Sequence, residues 1–395
     1  MMKKYETYKD SGLEWLGMVP EHWEILPFKR GVSINNGRDY KHVQSEDGYP
    51  VIGSGGQFAF ASDYLYDGEV ILLGRKGTID KPRYFNGKFW TVDTMFYAIP
   101  NQKCIAKYLY YQALTIPFSL YSTDTALPSM TQTDLGNHLM CFPPTSEQRT
   151  IASYLDHKVG QIDALISEKE KMVEDLKAYR SSLITETVTK GLDKGVEMKD
   201  SGVEWIGKIP QNWELLKLKR IVNLKSGISL TSDRILDEGK YQVFGGNGPR
   251  GYINDYTNEG DFVLIGRQGA LCGNINYANG KFWATEHAII CYPLKEFDTI
   301  WLGETLRAMN LNQYSISAAQ PGLAVERINE LLIPIPSFSE QKEISSYLKL
   351  KITQIESTIS ELEHQLSDLK SYKSSLITET VTGKIDLRDW QIKKS

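Results

Sequence analysis

The chain has 395 residues, 41% hydrophobic, 24% charged and 11% aromatic, which excludes a disordered, collagenous or low-complexity polymer and, at about 100–200 residues per domain, implies two or three domains. A formal charge of −4 and a sequence pI near 6.0 argue against a surface that is basic throughout and leave local patches open. No apolar run reaches the roughly 18–20 residues of a membrane span, and Cys104, Cys141, Cys272 and Cys291 have neither disulfide-framework nor zinc-ligand spacing, so a cytoplasmic protein with buried thiols is expected.

The first element in the chain is a block that occurs twice. Residues 9–30 (KDSGLEWLGMVPEHWEILPFKR) and 199–220 (KDSGVEWIGKIPQNWELLKLKR) agree at 13 of 22 positions, so the sequence is a tandem duplication. In each copy, strand-length apolar runs bounded by glycine follow. Gly53-Ser54-Gly55-Gly56 and Gly245-Gly246-Asn247-Gly248 mark tight turns. Residues 69–73 and 261–265 read as strands that end in Gly74-Arg75-Lys76-Gly77 and Gly266-Arg267-Gln268-Gly269. Residues 88–92 and 281–285 read as further strands, with Asn86-Gly87-Lys88 and Asn279-Gly280-Lys281 as hairpin signals. Residues 105–114 and 299–309 have helical periodicity. Much of the rest differs between the copies, including 36–50 against 228–242 and 112–127 against 310–320, the pattern of one scaffold carrying two specificities.

Each copy closes on a long helix, 146–189 and 339–382, and both finish with SSLITETVT. In the second, Leu348, Ile352, Ile355, Ile359, Leu362, Leu366, Leu369 and Leu376 fall at three- and four-residue steps, a coiled-coil seam. The first carries Leu155, Val159, Ile162, Ile166, Val173, Leu176 and Leu183, interrupted by Lys169 and weakened by about 1 kcal/mol at Gly160. Thr145-x-x-Gln148 and Ser337-x-x-Glu340, just after Pro143-Pro144 and Pro334-x-Pro336, read as capping boxes. The expected fold is α+β: two tandem-repeat globular domains joined by two long antiparallel coiled-coil helices in a pseudo-twofold arrangement. Its divisions fall at 1–145, 146–190, 191–338 and 339–382, with a tail at 383–395. A helix of about 40 residues is roughly 60 Å long, on the order of 18 base pairs, so the helices could act as a ruler between two DNA half-sites.

For DNA contact the leading candidates are Arg75, Lys76, Arg267 and Gln268, because flanking glycines let the backbone come close to a phosphate and arginine bonds phosphates or guanine edges bidentately. An arginine paired to an acid across the turn is an equally good reading of the same residues. Recurrence in both copies favours phosphate positioning. Lys88 and Lys281 come next, with solvated hairpin lysines as the plainer alternative. Sequence readout belongs where the copies differ: Asn35, Asn36, Arg38, Lys41 and His42 in the first, and Ser229, Thr231, Arg234, Asn247 and Arg250 in the second. Residues 25–145 hold 11 Lys+Arg against 10 Asp+Glu, and 215–338 hold 12 against 12, so neither head is basic and the chain alone is expected to bind DNA weakly. The pairs Trp15/Trp205, Trp23/Trp213 and Trp90/Trp283 are assigned to structure, as are the matching acids Asp93 and Glu286. No phosphate-binding glycine loop with lysine, no H-E-x-x-H, no N-P-P-[YF] run and no ligand-spaced histidine cluster is present, so catalysis and metal binding are not expected.

The duplicated K-D-S-G-[LV]-E-W-[LI]-G-x-[VI]-P-x-x-W-E, the G-R-x-G turn after an apolar strand, the prolines followed by S-E-Q at the helix start, the repeated I-T-E-T-V-T and the closing Gly383-Lys384-Ile385-Asp386-Leu387-Arg388-Asp389 together resemble the specificity subunit of type I restriction-modification systems. That resemblance spans essentially the whole chain. It implies two target recognition domains, each reading half of a bipartite, asymmetric double-stranded DNA sequence, with helical regions that set the spacer. It also implies two modification subunits that methylate adenine N6 and two restriction subunits. S-adenosylmethionine, ATP and Mg would then sit on those partners, with no cofactor and no catalytic residue in this chain. A free-standing two-headed DNA-binding regulator and a coiled-coil protein adaptor are the competing readings.

Overall fold

The structure is a computed structural model that describes residues 3–121, 128–269, 271–315 and 322–391; parts of the divergent segments, 122–127 and 316–320, lie outside these. Each copy opens with a two-stranded hairpin, Tyr8–Asp10 with Met18–Pro20 and Met198–Asp200 with Lys208–Pro210. The next strand, Glu24–Pro27 or Glu214–Lys217, pairs with Leu139–Phe142 or Leu332–Ile335, the strand just before the long helix. The start and end of each head are therefore held side by side.

The first head is a seven-stranded sheet in the order Val32–Asn36, Met95–Pro100, Tyr66–Gly74, Arg83–Thr91, Tyr49–Gly53, Gly56–Ala61 and Gln44–Ser45. Its strands are antiparallel except where Val51 and Ile52 pair in parallel with Trp90 and Thr91. The second head follows the same path as two four-stranded sheets: Val222–Ser226, Ala288–Pro293, Phe262–Gly266, Ile275–Ala278, and then Gly248–Ile253, Tyr241–Gly245, Lys281–Ala284, Asn258–Glu259. The glycine-rich turns at 53–56 and 245–248 lie where the sequence places them, each closing a hairpin.

The Asn-Gly-Lys segments are not hairpins. Gly87 sits inside one continuous strand opposite Gly68, with φ 120° and 143°, and Asn279-Gly280 separates two strands that belong to different sheets. A glycine at positive φ bends and twists the strand here instead of reversing it, which carries the chain from one ladder to the next.

The helices Ala106–Ala113 and Thr299–Ala308 pack against strands of their sheets, and the long helices run Thr145–Lys190 and Phe338–Val381. The chain divides into two compact units, one drawn from Met1–Glu170 and His364–Ser395, the other from Lys171–Glu363. These limits fall inside both long helices, because each helix lends its apolar seam to one core near its start and to the other near its end. The first core joins Trp23, Phe28 and Tyr108 to Leu155, Val159, Ile162 and to Leu376, Ile377 and Val381. The second joins Trp213, Leu218 and Trp301 to Ile184, Val188, Ile344 and Leu348.

Within each unit the two helix segments run antiparallel. Lys373 meets Asp163 at 2.6 Å and Lys370 meets Glu170 at 2.8 Å in the first, and Lys177 meets Glu363 at 3.2 Å and Arg180 meets Glu356 at 3.1 Å in the second. Lys169, the interruption in the seam, donates to Gln365 Oε1 at 2.6 Å, so its polarity is satisfied across the pair. Exposed pairs of this kind contribute little each, and the buried leucines and isoleucines hold the helices together.

Gly160 is exposed, and a Cβ added there meets nothing within 4 Å. Gly160→Ala is therefore expected to stabilise the first unit by about 1 kcal/mol, seen as a higher denaturant midpoint; an unchanged or lower midpoint would contradict this. Among the described residues, no helix is long and apolar enough to cross a membrane. Cys141, Cys272 and Cys291 are buried and Cys104 is partly so, with burial pushing the Cys141 thiol up to about 12.

Candidate nucleic-acid interface

Of the two expected capping boxes only the second forms its N-cap bond, and both helix starts also tie in the opening block. Ser337 Oγ accepts from Glu340 N at 3.3 Å, but the Glu340 carboxylate accepts the buried Trp213 indole N–H at 2.9 Å, and Glu147 accepts that of Trp23 at 3.1 Å. Thr145 donates to Lys103 O, while Gln148 accepts from Ile105 N and donates to Pro143 O; Gln341 repeats this with Asp298 N and Pro336 O. The S-E-Q motif thus ties the opening block and the head to the helix start. Burial is the main cause that raises the Glu340 carboxyl, with the Trp213 bond opposing it.

On this base the G-R-x-G turn is clamped in the same way twice. Arg75 N donates to Thr94 O at 2.8 Å and Arg267 N to His287 O at 2.8 Å, while Met130 N and Leu323 N donate to the carbonyls of Arg75 and Arg267. Gly77 and Gly269 have φ of 81° and 90°, a region that favours glycine. At Gly74 a Cβ would lie 2.3 Å from Thr78 O, and at Gly266 2.2 Å from Gly246 O. The first glycine of each turn therefore makes room for the protein's own backbone.

Both arginines are partly exposed, and each reaches a neighbouring group of its own head. Arg75 Nη1 lies 3.4 Å from Asp93 O with its guanidinium over Phe96, and Arg267 Nη1 donates to Ser226 Oγ at 3.2 Å. Lys76 and Gln268 are exposed.

The strand ends that carry proposed readout residues are pinned beside this turn. Gly37 N donates to Met95 O and Gly227 N to Ala288 O, and the indoles of Trp90 and Trp283 donate to Arg38 O at 2.9 Å and Ile228 O at 3.1 Å. His42 stacks edge-on against Trp90, and Arg234 lies over Trp283 in the other head. One cleft collects Asn36, Arg75 and Lys76 with Ser129 and Gln132; in the second head a cleft at the same turn, sharing the matching positions Gln268 and Gly322, collects Asn247, Arg250 and His287. Asn247 Oδ1 accepts from Asn274, and Gln268 Oε1 lies 3.1 Å from His287 Nδ1.

Lys88 and Lys281 are placed elsewhere. Lys88 sits over Tyr49 and Tyr64, and Lys281 sits over Tyr256 with Glu259 at 3.8 Å. Arg38 and Lys41 are exposed beside the first cleft's pinned loop, while Asn35 turns back to Ser33 O, Ser229 to Glu286, and Thr231 accepts from Arg234 N through its carbonyl.

Gln132 and His287 were not singled out in the sequence. Thr131-x-x-Asp134, where Thr131 Oγ1 accepts from Asp134 N at 3.0 Å, is the helix-start signal that could have located Gln132. Among the described residues no group of three or more His, Cys, Asp or Glu could hold a metal ion.

Trp15 stacks at 23° on His138, which is 4% exposed and whose Nδ1 lies 2.8 Å from Tyr121 Oη. Burial lowers His138 to about 4 from an ordinary 6.5. The unfolded chain takes up this proton below pH about 6.5 and the folded chain only near 4, so stability falls as pH drops through that window. The expected loss is about 2 kcal/mol at pH 5 relative to pH 7.5, read by urea denaturation, and His138→Gln should remove that component; an equal pH slope in the variant would contradict it.

The family model described as Type I restriction modification DNA specificity domain matches residues 21–175 and again 210–366. The EcoprrI specificity subunit of Escherichia coli is 37% identical over 40% of this chain and 41% of its own length, so the match spans about two fifths of that relative. The MjaVIII specificity subunit of Methanocaldococcus jannaschii is 24% identical over 98% of this chain and 97% of its own length. Among solved structures, a chain from work on complex assembly and conformational transition of the type I R-M system aligns with TM-score 0.72 at 15% identity, covering 93% of this chain and 99% of that one. The HsdS subunit from Thermoanaerobacter tengcongensis aligns with TM-score 0.51 at 14% identity, covering 95% and 100%.

Proposed function

Because the chain belongs to the family of type I restriction-modification specificity subunits, we propose that it is the non-catalytic, sequence-reading member of a complex and that each head reads one half of a bipartite, asymmetric DNA target. The observation that carries this is the paired cleft: one clamped G-R-x-G frame in both heads, bordered by side chains that differ between them. The shared frame suits contacts that position the duplex, and the differing rim suits base edges. The two long helices set the spacer between half-sites, and modification subunits that methylate adenine N6 dock on this scaffold together with restriction subunits. S-adenosylmethionine, ATP and Mg belong to those partners. With heads near electrical neutrality, the partners supply part of the phosphate contact.

Co-expression with a cognate modification subunit followed by methylome sequencing tests the proposal. The expected result is one bipartite motif carrying N6-methyladenine. Inserting one heptad into both helices should lengthen the spacer and leave both half-sites unchanged; an altered half-site at constant spacer would overturn the ruler. Tight, specific DNA binding by the chain alone would favour a free-standing regulator.

A further inference from the structure

The G-R-x-G turn differs between the heads at one position, Lys76 in the first and Gln268 in the second, while both glycines and the arginine are the same. The backbone around that position is alike in the two heads. Arginine N donates across to the carbonyl of residue 94 or 287, arginine O accepts from residue 130 or 323, and residues 76 and 268 each form an isolated antiparallel bridge, to Ser129 and Gly322. Each arginine directs one donor at the protein itself, Arg75 at the Asp93 carbonyl and Arg267 at the Ser226 hydroxyl, and keeps the others for a ligand. The next side chain is exposed on the cleft in both heads and is the part of the motif free to vary.

The chemistry at that position differs in a way that DNA can register. Lysine offers only donors, and among the described residues the Lys76 ammonium has no hydrogen-bond or ion-pair partner. The major-groove edge of guanine presents two acceptors, O6 and N7. Glutamine offers an acceptor beside a donor, the complement of adenine N6–H and N7. Gln268 is also held in place: with His287 Nδ1 protonated, the ring donates to Gln268 Oε1 at 3.1 Å, which leaves that oxygen a second lone pair and the amide both hydrogens. His287 is itself flanked by Glu286, whose Oε1 lies 3.5 Å from its Nε2.

We propose that the third residue of the turn is a base-reading position, with Lys76 selecting guanine in one half-site and Gln268 selecting adenine in the other. The proposal rests on the sequence-reading function above and adds to it a residue-to-base assignment. The invariant arginine is then a positioning residue, and specificity resides in its neighbour.

The test uses the full chain with its cognate modification subunit and compares the native protein with Lys76→Gln, Lys76→Ala and Gln268→Lys by methylome sequencing. Lys76→Gln is expected to move one position of a single half-site from G toward A, Lys76→Ala to relax that position, and Gln268→Lys to move one position of the other half-site from A toward G, with the spacer unchanged. On duplexes differing only at that base pair, the ratio of methylation rates should change about tenfold or more. Variants that keep the native motif and merely methylate all sites more slowly would overturn the assignment, since that is the signature of a phosphate contact. A native complex that yields no bipartite methylated motif would overturn the underlying reading, and the assignment with it.

Discussion

Trp23→Ala is expected to destabilise the first unit by about 3–5 kcal/mol, the usual range for removing a fully buried tryptophan. Its ring has no solvent exposure, packs edge-on against Tyr5 at 5.8 Å, and donates to Glu147, which also accepts from Tyr5 Oη at 3.0 Å and lies 2.7 Å from His22. Gly383 abuts the same ring: a Cβ there would lie 3.1 Å from it and 2.3 Å from the Pro20 ring. Removing the indole therefore also loosens the chain end, where Tyr8 Oη donates to Gly383 O and Lys384 donates to Leu16 O. Chemical denaturation of Trp23→Ala and Trp213→Ala, each followed in its own unit, should give losses of similar size; a loss below 1 kcal/mol in either would show that the indole is not central to that core.

Gly74→Ala acts on the other level, recognition. The added methyl would lie 2.3 Å from Thr78 O and 2.7 Å from Ile79 Cα, both backbone atoms that cannot step aside singly, so the turn must open and Lys76 must move. Displacing a head's contacts forfeits at least the 1–3 kcal/mol that one mismatched base pair costs. Methylation of the full target at limiting enzyme should fall about tenfold or more in Gly74→Ala and likewise in Gly266→Ala, where Gly246 O is the obstacle. Gly160→Ala, in the first half of the first long helix and in a site with open space, serves as the control and should methylate normally.

The long helices were legible because their signal is local and repeated: leucine and isoleucine at heptad steps, flanked by prolines. The strands next to the G-R-x-G turns were legible for the same reason, as glycine-bounded apolar runs. Partners far apart in sequence were not. Glu147 reads as part of a helix start, and nothing nearby shows that its partner is Trp23, 124 residues earlier. Asn-Gly at 86–87 reads as a reversal because that pair suits tight turns, but a glycine opposite another glycine across two strands also permits a sharp bend, and the register decides between them. The clefts follow the same rule: Lys76 and Asn36 were read as separate candidates, and the bridge from Lys76 to Ser129 together with the Asn36 to Gln132 contact at 3.4 Å brings them together.

The first unit is assembled from both ends of the chain, while the second is continuous from Lys171 to Glu363. During synthesis the second can therefore finish folding while the first is still missing its last segment. Leu376, Ile377, Val381, Ile385 and Leu387, which complete the first core, follow the whole second unit in the chain and so leave the ribosome after it. A chain that stopped before that segment would carry one finished head and one with its apolar floor uncovered, the kind of surface that chaperones and proteases act on.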